Sequence, residues 1–491
     1  MRYKMKTSLL TKTICALLAT TTLTGAVFAG DTVSTRIGEL EFTHGFETGY
    51  PTDETVEMLF EELDFQRATQ AYIWATPYVS FMAWQQAFTD ELGLGNGQII
   101  LHESYRDRLG GLTYNATTPY ALTFIDIAES PWVMEIPEGG VRGSVSNMWQ
   151  IGLAAIVEPG KYLIAGPESV IPENVEQQGY TVIQSDTNTV MTGVRLMSAN
   201  AEERQQVLEN INIYPLSEAN DPQPRGYIET NDRKWMAAAP RGLEYFELLA
   251  EGINKNGPIH ERDRFYMSML KPLGIEKGKT FSPTKAQAEL LTEAAIVGEA
   301  MTKSIDFAGT ERLEDAHYAE GSMWEIATTS RPDQRRDNYD DLDGRAAWFY
   351  EAVSNDIAMH GMVNGGWGQV YLATYKDAQG DWLDGGENYT LHLPSNPPAK
   401  TFWSITAYEV DTRTLIQNDS EKADLSSRQD LQINKDGSID LYFGPQEPKG
   451  LKSNWVETEE GRAWFPYFRF YSPEQTVVDR EWVLPNIEKL Q

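Results

Sequence analysis

The run from Gly366 to Tyr471 constrains this chain more than any other. It reads Trp367-Gly-Gln-Val-Tyr-Leu-Ala-Thr-Tyr-Lys376, then Asp377-Ala-Gln-Gly-Asp-Trp-Leu-Asp-Gly-Gly386 and Tyr389-Thr-Leu-His-Leu-Pro394. Phe402-Trp-Ser-Ile-Thr-Ala-Tyr408, Asp436-Gly-Ser-Ile-Asp-Leu-Tyr-Phe443 and Phe465-Pro-Tyr-Phe-Arg-Phe-Tyr471 follow. Aromatic and β-branched residues recur in short runs, and Asp, Asn, Gly and Pro punctuate them. That pattern predicts antiparallel strands joined by tight turns. It names a fold class and no reaction.

The 491 residues leave room for roughly two to four domains, because a single hydrophobic core stops growing well below that length. Apolar residues make up 41% and charged residues 23%, so the chain has the material for packed cores and disorder is excluded. At the N-terminus Arg2, Lys4, Lys6 and Lys12 precede the apolar run Ile14-Cys-Ala-Leu-Leu-Ala19, and small residues lead to Ala29. A positive segment, a short apolar segment and a small-residue end describe a secretory signal peptide over residues 1–29, cut before Gly30. A membrane anchor is the alternative, but threonines interrupt the run and it is too short to span. The expected location is periplasmic or secreted, with no transmembrane segment once the signal is removed. Cys15 is the only cysteine and lies inside that signal, so the mature chain has no disulfide and is held by its cores. A formal charge of −31 disfavours nucleic acid and anionic membrane surfaces as partners.

Residues 30–105 read as an N-terminal helical segment. Trp74, Tyr78, Phe81 and Gln85 fall at helical spacing, and Pro77 is expected to kink or restart the helix near Ile73. Residues 106–200 read as a β-sandwich. Leu122-Thr-Phe-Ile-Asp-Ile127, Val141-Arg-Gly-Ser-Val-Ser146 and Val190-Met-Thr-Gly-Val-Arg-Leu-Met197 are separated by turn residues without intervening helices. Residues 201–361 read as helical. The clearest helix there starts at Ser282-Pro283, with Ser as the N-cap, and keeps Leu290, Ala294, Val297 and Met301 on one apolar face. Residues 362–491 form the β block described first.

Motifs that carry chemistry are scarce. No Gly-x-Ser-x-Gly elbow, Walker loop or Gly-x-Gly-x-x-Gly fingerprint occurs, so no nucleotide cofactor is expected. The histidines, His44, His102, His260, His317, His360 and His392, are scattered without zinc-site spacing. Two acidic clusters offer oxygens for a divalent cation: Asp337, Asp340, Asp341 and Asp343, and Asp377, Asp381 and Asp384 with Glu387. Both also read as turn chemistry, since Asp before Gly caps a turn. Ser404, Tyr408, Arg469 and Tyr471 are polar handles on aromatic strands. Arg469, between Phe468 and Phe470, is a solvent-facing residue, a buried ion-pair partner or a ligand anchor.

With those residues in view, the chain resembles a two-module bacterial family built from the domains of unknown function 1254 and 1214. The C-terminal part carries Asp377 with Gly380, Leu383-Asp-Gly385, Tyr389-Thr-Leu391, Phe402 to Tyr408, Asp436-Gly-Ser438, Asn454-Trp455 and Phe468-Arg-Phe-Tyr-Ser-Pro473, in the family's order. Tyr245 to Ser282, with Gly274-Ile-Glu-Lys-Gly278, resembles the connecting helical region. In the N-terminal module Pro131-Trp-Val-Met-Glu-Ile-Pro137 and Gly160-Lys-Tyr-Leu-Ile-Ala-Gly166 fit. Asn115 to Tyr120 keeps only part of the family's Asp-Thr-Leu-Tyr run, and Asn454-Trp455 continues Val-Glu-Thr-Glu where the family has Leu-Pro. The resemblance implies a multidomain α+β protein, mainly β: an immunoglobulin-like sandwich, a helical middle and a C-terminal jelly-roll-like sandwich. It implies no shared reaction.

Three functions are compatible with these features. The first is an exported acidic protein that binds a small apolar, aromatic or carbohydrate-like ligand in an interdomain cleft, through Trp74, Tyr78, Tyr120, Trp403, Tyr408, Arg469 and Tyr471. The second is a hydrolase for esters, phosphoesters or glycosides, with or without a metal. Its catalytic candidates are Asp384, Ser404, His360 and His392, and its metal candidates Asp377, Asp381 and Asp384. The third is a structural or assembly protein, a homo-oligomer joined through sheet edges.

Overall fold

The computed structural model describes residues 30–103, 109–257, 259–355, 359, 362–363 and 366–490; at 109, 362, 363, 366 and 367 only the backbone is considered. The signal segment 1–29 and His360 therefore lie outside the described residues. The chain divides at Leu63 into two compact units. In the first, Thr32–Thr35 and Gly38–Glu41 pair as an antiparallel hairpin, and Arg36 reaches Glu62 at 2.7 Å.

The second unit contains two open β-sandwiches and a helical layer. One six-stranded sheet has the order Tyr227–Glu229, Ile99–His102, Tyr120–Asp126, Thr189–Leu196, Val141–Asn147, Gly152–Ile156. A four-stranded sheet, Tyr180–Gln184, Gly160–Ala165, Trp132–Ile136, Asn212–Pro215, shares a core with it. Period-2 alternation sorts the side chains of the larger sheet. Ile99, Leu101, Ala121, Ile125, Val190 and Val194 point into the sandwich, while Ile100, Leu122, Phe124 and Met191 point the other way, into a core shared with helices. Thr189–Leu196 is buried along its whole length because both its faces are covered. Strands at Ile99–His102, Asn212–Pro215 and Tyr227–Glu229, on either side of residues 106–200, complete these sheets.

The helical layer holds two corrections to the sequence reading. Asp53–Gln86 is one helix that passes through Pro77 without restarting. The missing backbone donor costs about 3 kcal/mol, and burial of Trp74, Tyr78, Phe81 and Trp84 offsets it at about 1.5–3 kcal/mol per large apolar side chain. The second helix begins at Lys285, not at Pro283. Thr284 is its N-cap, accepting from the Gln287 amide at 3.2 Å while Gln287 Oε1 accepts from the Thr284 amide at 3.0 Å. Ser282 is followed three positions later by Lys285, which cannot close such a box; Thr284 is followed by Gln287. The buried stripe is accordingly Leu291, Ala294, Ala295, Gly298, Thr302 and Ile305, and Met301 is 44% exposed. Gly298 lets this helix approach Tyr72, whose Cβ lies 2.7 Å from where a Cβ on residue 298 would stand. Thr284→Ala is expected to lower stability by about 1 kcal/mol. Urea titration measures it, and an unchanged midpoint would show that the cap contributes nothing.

The second sandwich joins a five-stranded sheet, Glu325–Ile326, Gln369–Ala373, Trp464–Pro473, Ala399–Glu409, Asp424–Ser426, to a four-stranded one, Trp455–Glu457, Ile439–Gly444, Tyr389–Leu393, Glu488–Lys489. Leu372, Trp403, Ile405, Phe468, Leu391, Leu441 and Phe443 fill the space between them. Among the described residues no helix is long and apolar enough to cross a membrane.

Candidate functional site

Alternation on the five-stranded sheet leaves its second face to polar and aromatic side chains. Tyr371, Arg469 and Ser404 stand opposite one another on three adjacent strands, and Gln369, Tyr471 and Phe402 form the next row. In an ordinary sandwich that face would meet water. Here it is buried: Arg469 and Tyr471 are 2% and 1% exposed, and Ser404 is fully covered. The first module covers it. The six-stranded sheet presents a matching row in which Arg195 lies between Tyr120 and Arg142. Like charges directly across a strand pair are destabilising, so the Arg142–Arg195 pair is maintained against its own repulsion.

The two rows are stitched together by hydrogen bonds. Arg469 donates to the Thr113 carbonyl at 2.8 Å and to the Tyr408 hydroxyl at 2.7 Å. Tyr408 in turn donates to the Tyr114 carbonyl at 2.6 Å. Arg195 donates to Thr118 Oγ1 at 3.0 Å, to Gln369 Oε1 at 3.3 Å and to the Tyr471 hydroxyl at 3.2 Å. The Asn115 side-chain amide also donates to Tyr471, and Thr117 donates to Asp424 at 2.9 Å. The Arg195 guanidinium lies 5.2 Å from the centre of the Tyr120 ring and 5.1 Å from that of Tyr471. Arg469 lies 4.8 Å from Tyr371 and 4.9 Å from Tyr467.

Between the rows is a cavity of about 90 Å³, walled by Arg142, Arg195, Arg469, Tyr114, Tyr120, Tyr371 and Gln369 on its polar side. Trp84, Leu122, Met191, Trp348 and Val353 form its apolar side. Three arginines line it and, among the described residues, no carboxylate or histidine does. The chain carries 72 acidic against 41 basic residues, so the excess of cations here is local and opposite to the average. Among the described residues, the hydrogen bonds that Arg195 and Arg469 make go to neutral oxygens, and Arg469 Nε is buried without a partner. Desolvation works against the Arg469 charge, but the surrounding Tyr408, Tyr471 and Tyr371 more than offset it and its pKa stays above the ordinary value. Asp424, on the neighbouring strand, is occupied by Thr117 and Gln429, and burial raises its pKa. Among the described residues neither buried arginine has an ion-pair partner in contact, although the Arg469 charge acts on the nearby Asp424 carboxyl and works to lower its pKa; a buried cation is costly unless an anion joins it.

Of the residues singled out from sequence, Tyr120, Tyr408, Arg469, Tyr471 and Ser404 come together at this junction. Trp74 and Tyr78 do not. Trp74 stacks on Tyr266 at 4.6 Å, and Tyr78 accepts from Asn256 at 3.0 Å inside the helical core. Trp403 points to the opposite face and stacks on Phe468 at 5.5 Å within the second sandwich. Asp384 is exposed and its Oδ1 accepts from the Gly386 amide at 2.8 Å. Asp377 accepts from the amides of Gln379 and Asp381, and Asp381 is exposed. The Asp377 and Asp384 carboxylates organise turns, and Asp381 takes part through its backbone. Asp337, Asp340, Asp341 and Asp343 pair with Arg331, Arg335, Arg336 and Arg312, so they neutralise guanidinium groups instead of converging on an ion. Among the described residues no group of three or more His, Cys, Asp or Glu is arranged to hold a metal ion. His392 is exposed and meets Asp440 at 2.7 Å.

Arg195, Arg142, Tyr371 and Gln369 were not singled out from sequence. The signal that could have found Arg195 is the one that flagged Arg469, a guanidinium set in a mostly apolar strand; Arg142, in Val-Arg-Gly-Ser-Val-Ser-Asn, carries no such signal.

Residues 99–215 match the family model described as protein of unknown function DUF1254, and residues 368–475 match that described as protein of unknown function DUF1214. No curated protein matches the chain. Its fold is similar to the crystal structure of the VPA0106 protein from Vibrio parahaemolyticus, at a TM-score of 0.55 and 18% identity over 87% of this chain and 100% of that one. A structure of an uncharacterised protein from Burkholderia cenocepacia aligns at a TM-score of 0.40 and 10% identity, over 89% of this chain and 97% of that one. The six-stranded sheet with Arg195 and the five-stranded sheet with Arg469 fall in the two matched segments, and the chain carries the DUF1254 and DUF1214 modules in that order.

Proposed function

We propose that this protein binds a small anion in the cavity between its two modules. The observation that carries the reading is that Arg195 and Arg469 are buried, face a cavity with no carboxylate among its described lining residues, and among the described residues make hydrogen bonds to neutral oxygens. Arginine is the side chain suited to this task, because its planar fork meets carboxylate and phosphate oxygens and its charge persists on burial. A ligand apolar throughout would leave these charges uncompensated, so the proposed ligand is anionic where the sequence pointed to an apolar, aromatic or glycan-like one. A hydrolase reading needs a general acid or base at the cavity, and the described lining residues of that type are tyrosines, Tyr114, Tyr120 and Tyr371, with no carboxylate or histidine among them.

An anion that binds only the folded state stabilises it, by about 2.7 kcal/mol at a hundred times its dissociation constant. Thermal denaturation at constant ionic strength, with sodium chloride replaced by acetate or by phosphate, is expected to show a higher midpoint with at least one of them. The shift should vanish in Arg469→Met. Equal midpoints in all three salts would sink the reading.

A further inference from the structure

Resting on that reading, we infer that the ligand is a short-chain monocarboxylate of about two or three carbons, in preference to inorganic phosphate or an aromatic acid. Volume excludes the larger candidates. An apolar cavity of about 150 Å³ holds one benzene ring, and a water molecule occupies about 30 Å³ in the liquid. The 90 Å³ between the modules therefore takes a molecule of about three to five non-hydrogen atoms, which is acetate or propionate in size and smaller than benzoate or any sugar ring.

Chemistry separates a carboxylate from a phosphate of similar bulk. The lining is divided: Arg142, Arg195, Arg469 and Gln369 at one side, Leu122, Met191, Trp348 and Val353 at the other, with Trp84 adding one unpartnered N–H to the otherwise apolar wall. A carboxylate places both oxygens toward the guanidinium groups and its hydrocarbon against the apolar wall. A phosphate would turn at least one oxygen toward that wall, and an unsatisfied buried oxygen costs about 1–3 kcal/mol. The donors are also limited. The three nitrogens of Arg195 are engaged with Thr118, Gln369 and Tyr471, and among the lining residues Arg469 Nε and Trp84 Nε1 are buried donors left without a partner. A second buried negative charge on the ligand would add a desolvation penalty of several kcal/mol, which favours a monoanion.

The test is isothermal titration of the full chain with acetate, propionate, butyrate, benzoate and phosphate at matched ionic strength. The expected result is saturable binding of propionate at least tenfold tighter than that of phosphate or benzoate, lost in Arg469→Met. Because that variant removes buried hydrogen bonds, Ala352→Leu serves as a second probe. Ala352 lines the cavity, and filling its position should weaken butyrate more than acetate. Phosphate or benzoate binding tighter than propionate would overturn the inference and leave the anion reading standing. So would an unchanged chain-length preference in Ala352→Leu. Binding of none of the five would overturn both.

Discussion

Between pH 6.5 and pH 8.5 the folded protein is expected to lose at least about 3 kcal/mol of stability, through three buried carboxylates that stand apart from the cavity. Asp306 ends the long helix Lys285–Phe307, Glu351 ends the helix Leu342–Glu351, and Glu325 lies on the edge strand Glu325–Ile326. Burial pushes the Glu325 carboxyl up to about 8 and that of Glu351 up to about 7. It also raises Asp306 well above the usual range, with the nearby Glu351 and Glu325 charges adding to the effect. Tyr467 and Tyr375 donate to Glu351, the latter at 2.9 Å, which limits its shift.

The sign follows from proton counts. Above pH 4.5 the unfolded chain has released these protons and the folded chain still holds them, so stability falls as pH rises, until the folded groups ionise near 7 and 8. His102 acts the other way. Buried and lowered to about 3, it is neutral in the fold and protonated in the unfolded chain below about pH 6.5, so stability there rises with pH. Above 6.5 His102 drops out and the carboxylates remain. At about 1.4 kcal/mol per pH unit and group, Glu325 contributes about 2 kcal/mol of the fall and Glu351 about 1 kcal/mol, and Asp306, raised well above the usual range, adds to it. Urea titrations at pH 6.5, 7.5 and 8.5 should show the decline, and Glu325→Gln should remove about 2 kcal/mol of it. A variant with the parent's pH slope would rule out this assignment.

Phe468→Ala is expected to cost about 3–5 kcal/mol, the range for deleting a large aromatic from a closed core. Phe468 is fully buried, stacked on Trp403 with the rings 17° from parallel and set edge-on to Trp324 at 6.4 Å. It lies between the two sheets of the second sandwich, where a cavity has rigid β walls and collapses poorly. Phe468→Leu, which keeps most of the volume, should cost less than half as much. Guanidinium denaturation decides the matter, and a loss below about 1.5 kcal/mol for the alanine variant would mean that the sheets can close over the gap.

Phe468 and its neighbour Arg469 show how far the sequence reaches. Alternation in Phe465-Pro-Tyr-Phe-Arg-Phe-Tyr471 puts Phe468 and Phe470 on one face and Tyr467, Arg469 and Tyr471 on the other, and the structure agrees. The cap at Thr284 was legible as well, in the Thr-x-x-Gln spacing, although the Ser-Pro pair two residues earlier is the louder signal. Pro77 misled because a local rule about one missing donor gives no weight to the aromatic burial on both sides of it. The acidic clusters could not be resolved from spacing, since an Asp that caps a turn, an Asp that neutralises an arginine and an Asp that binds a cation look alike until their partners are placed.

By itself, the sequence determined the class of fold, the strands and the face to which each strand side chain belongs, because these depend on the two-residue period of an extended chain. Only the tertiary structure decided what covers each face. Arg195 and Tyr471 are 276 residues apart and share a hydrogen bond, and no local pattern encodes that meeting. The polar face of the five-stranded sheet would be a wet surface in an isolated sandwich. Packed against the six-stranded sheet it becomes the wall of a cavity, and two arginines that could have faced water are buried with no ion-pair partner in contact among the described residues. Removal of water turned them from surface charges into the candidate site, because a charge costs little in water and several kcal/mol in a protein interior.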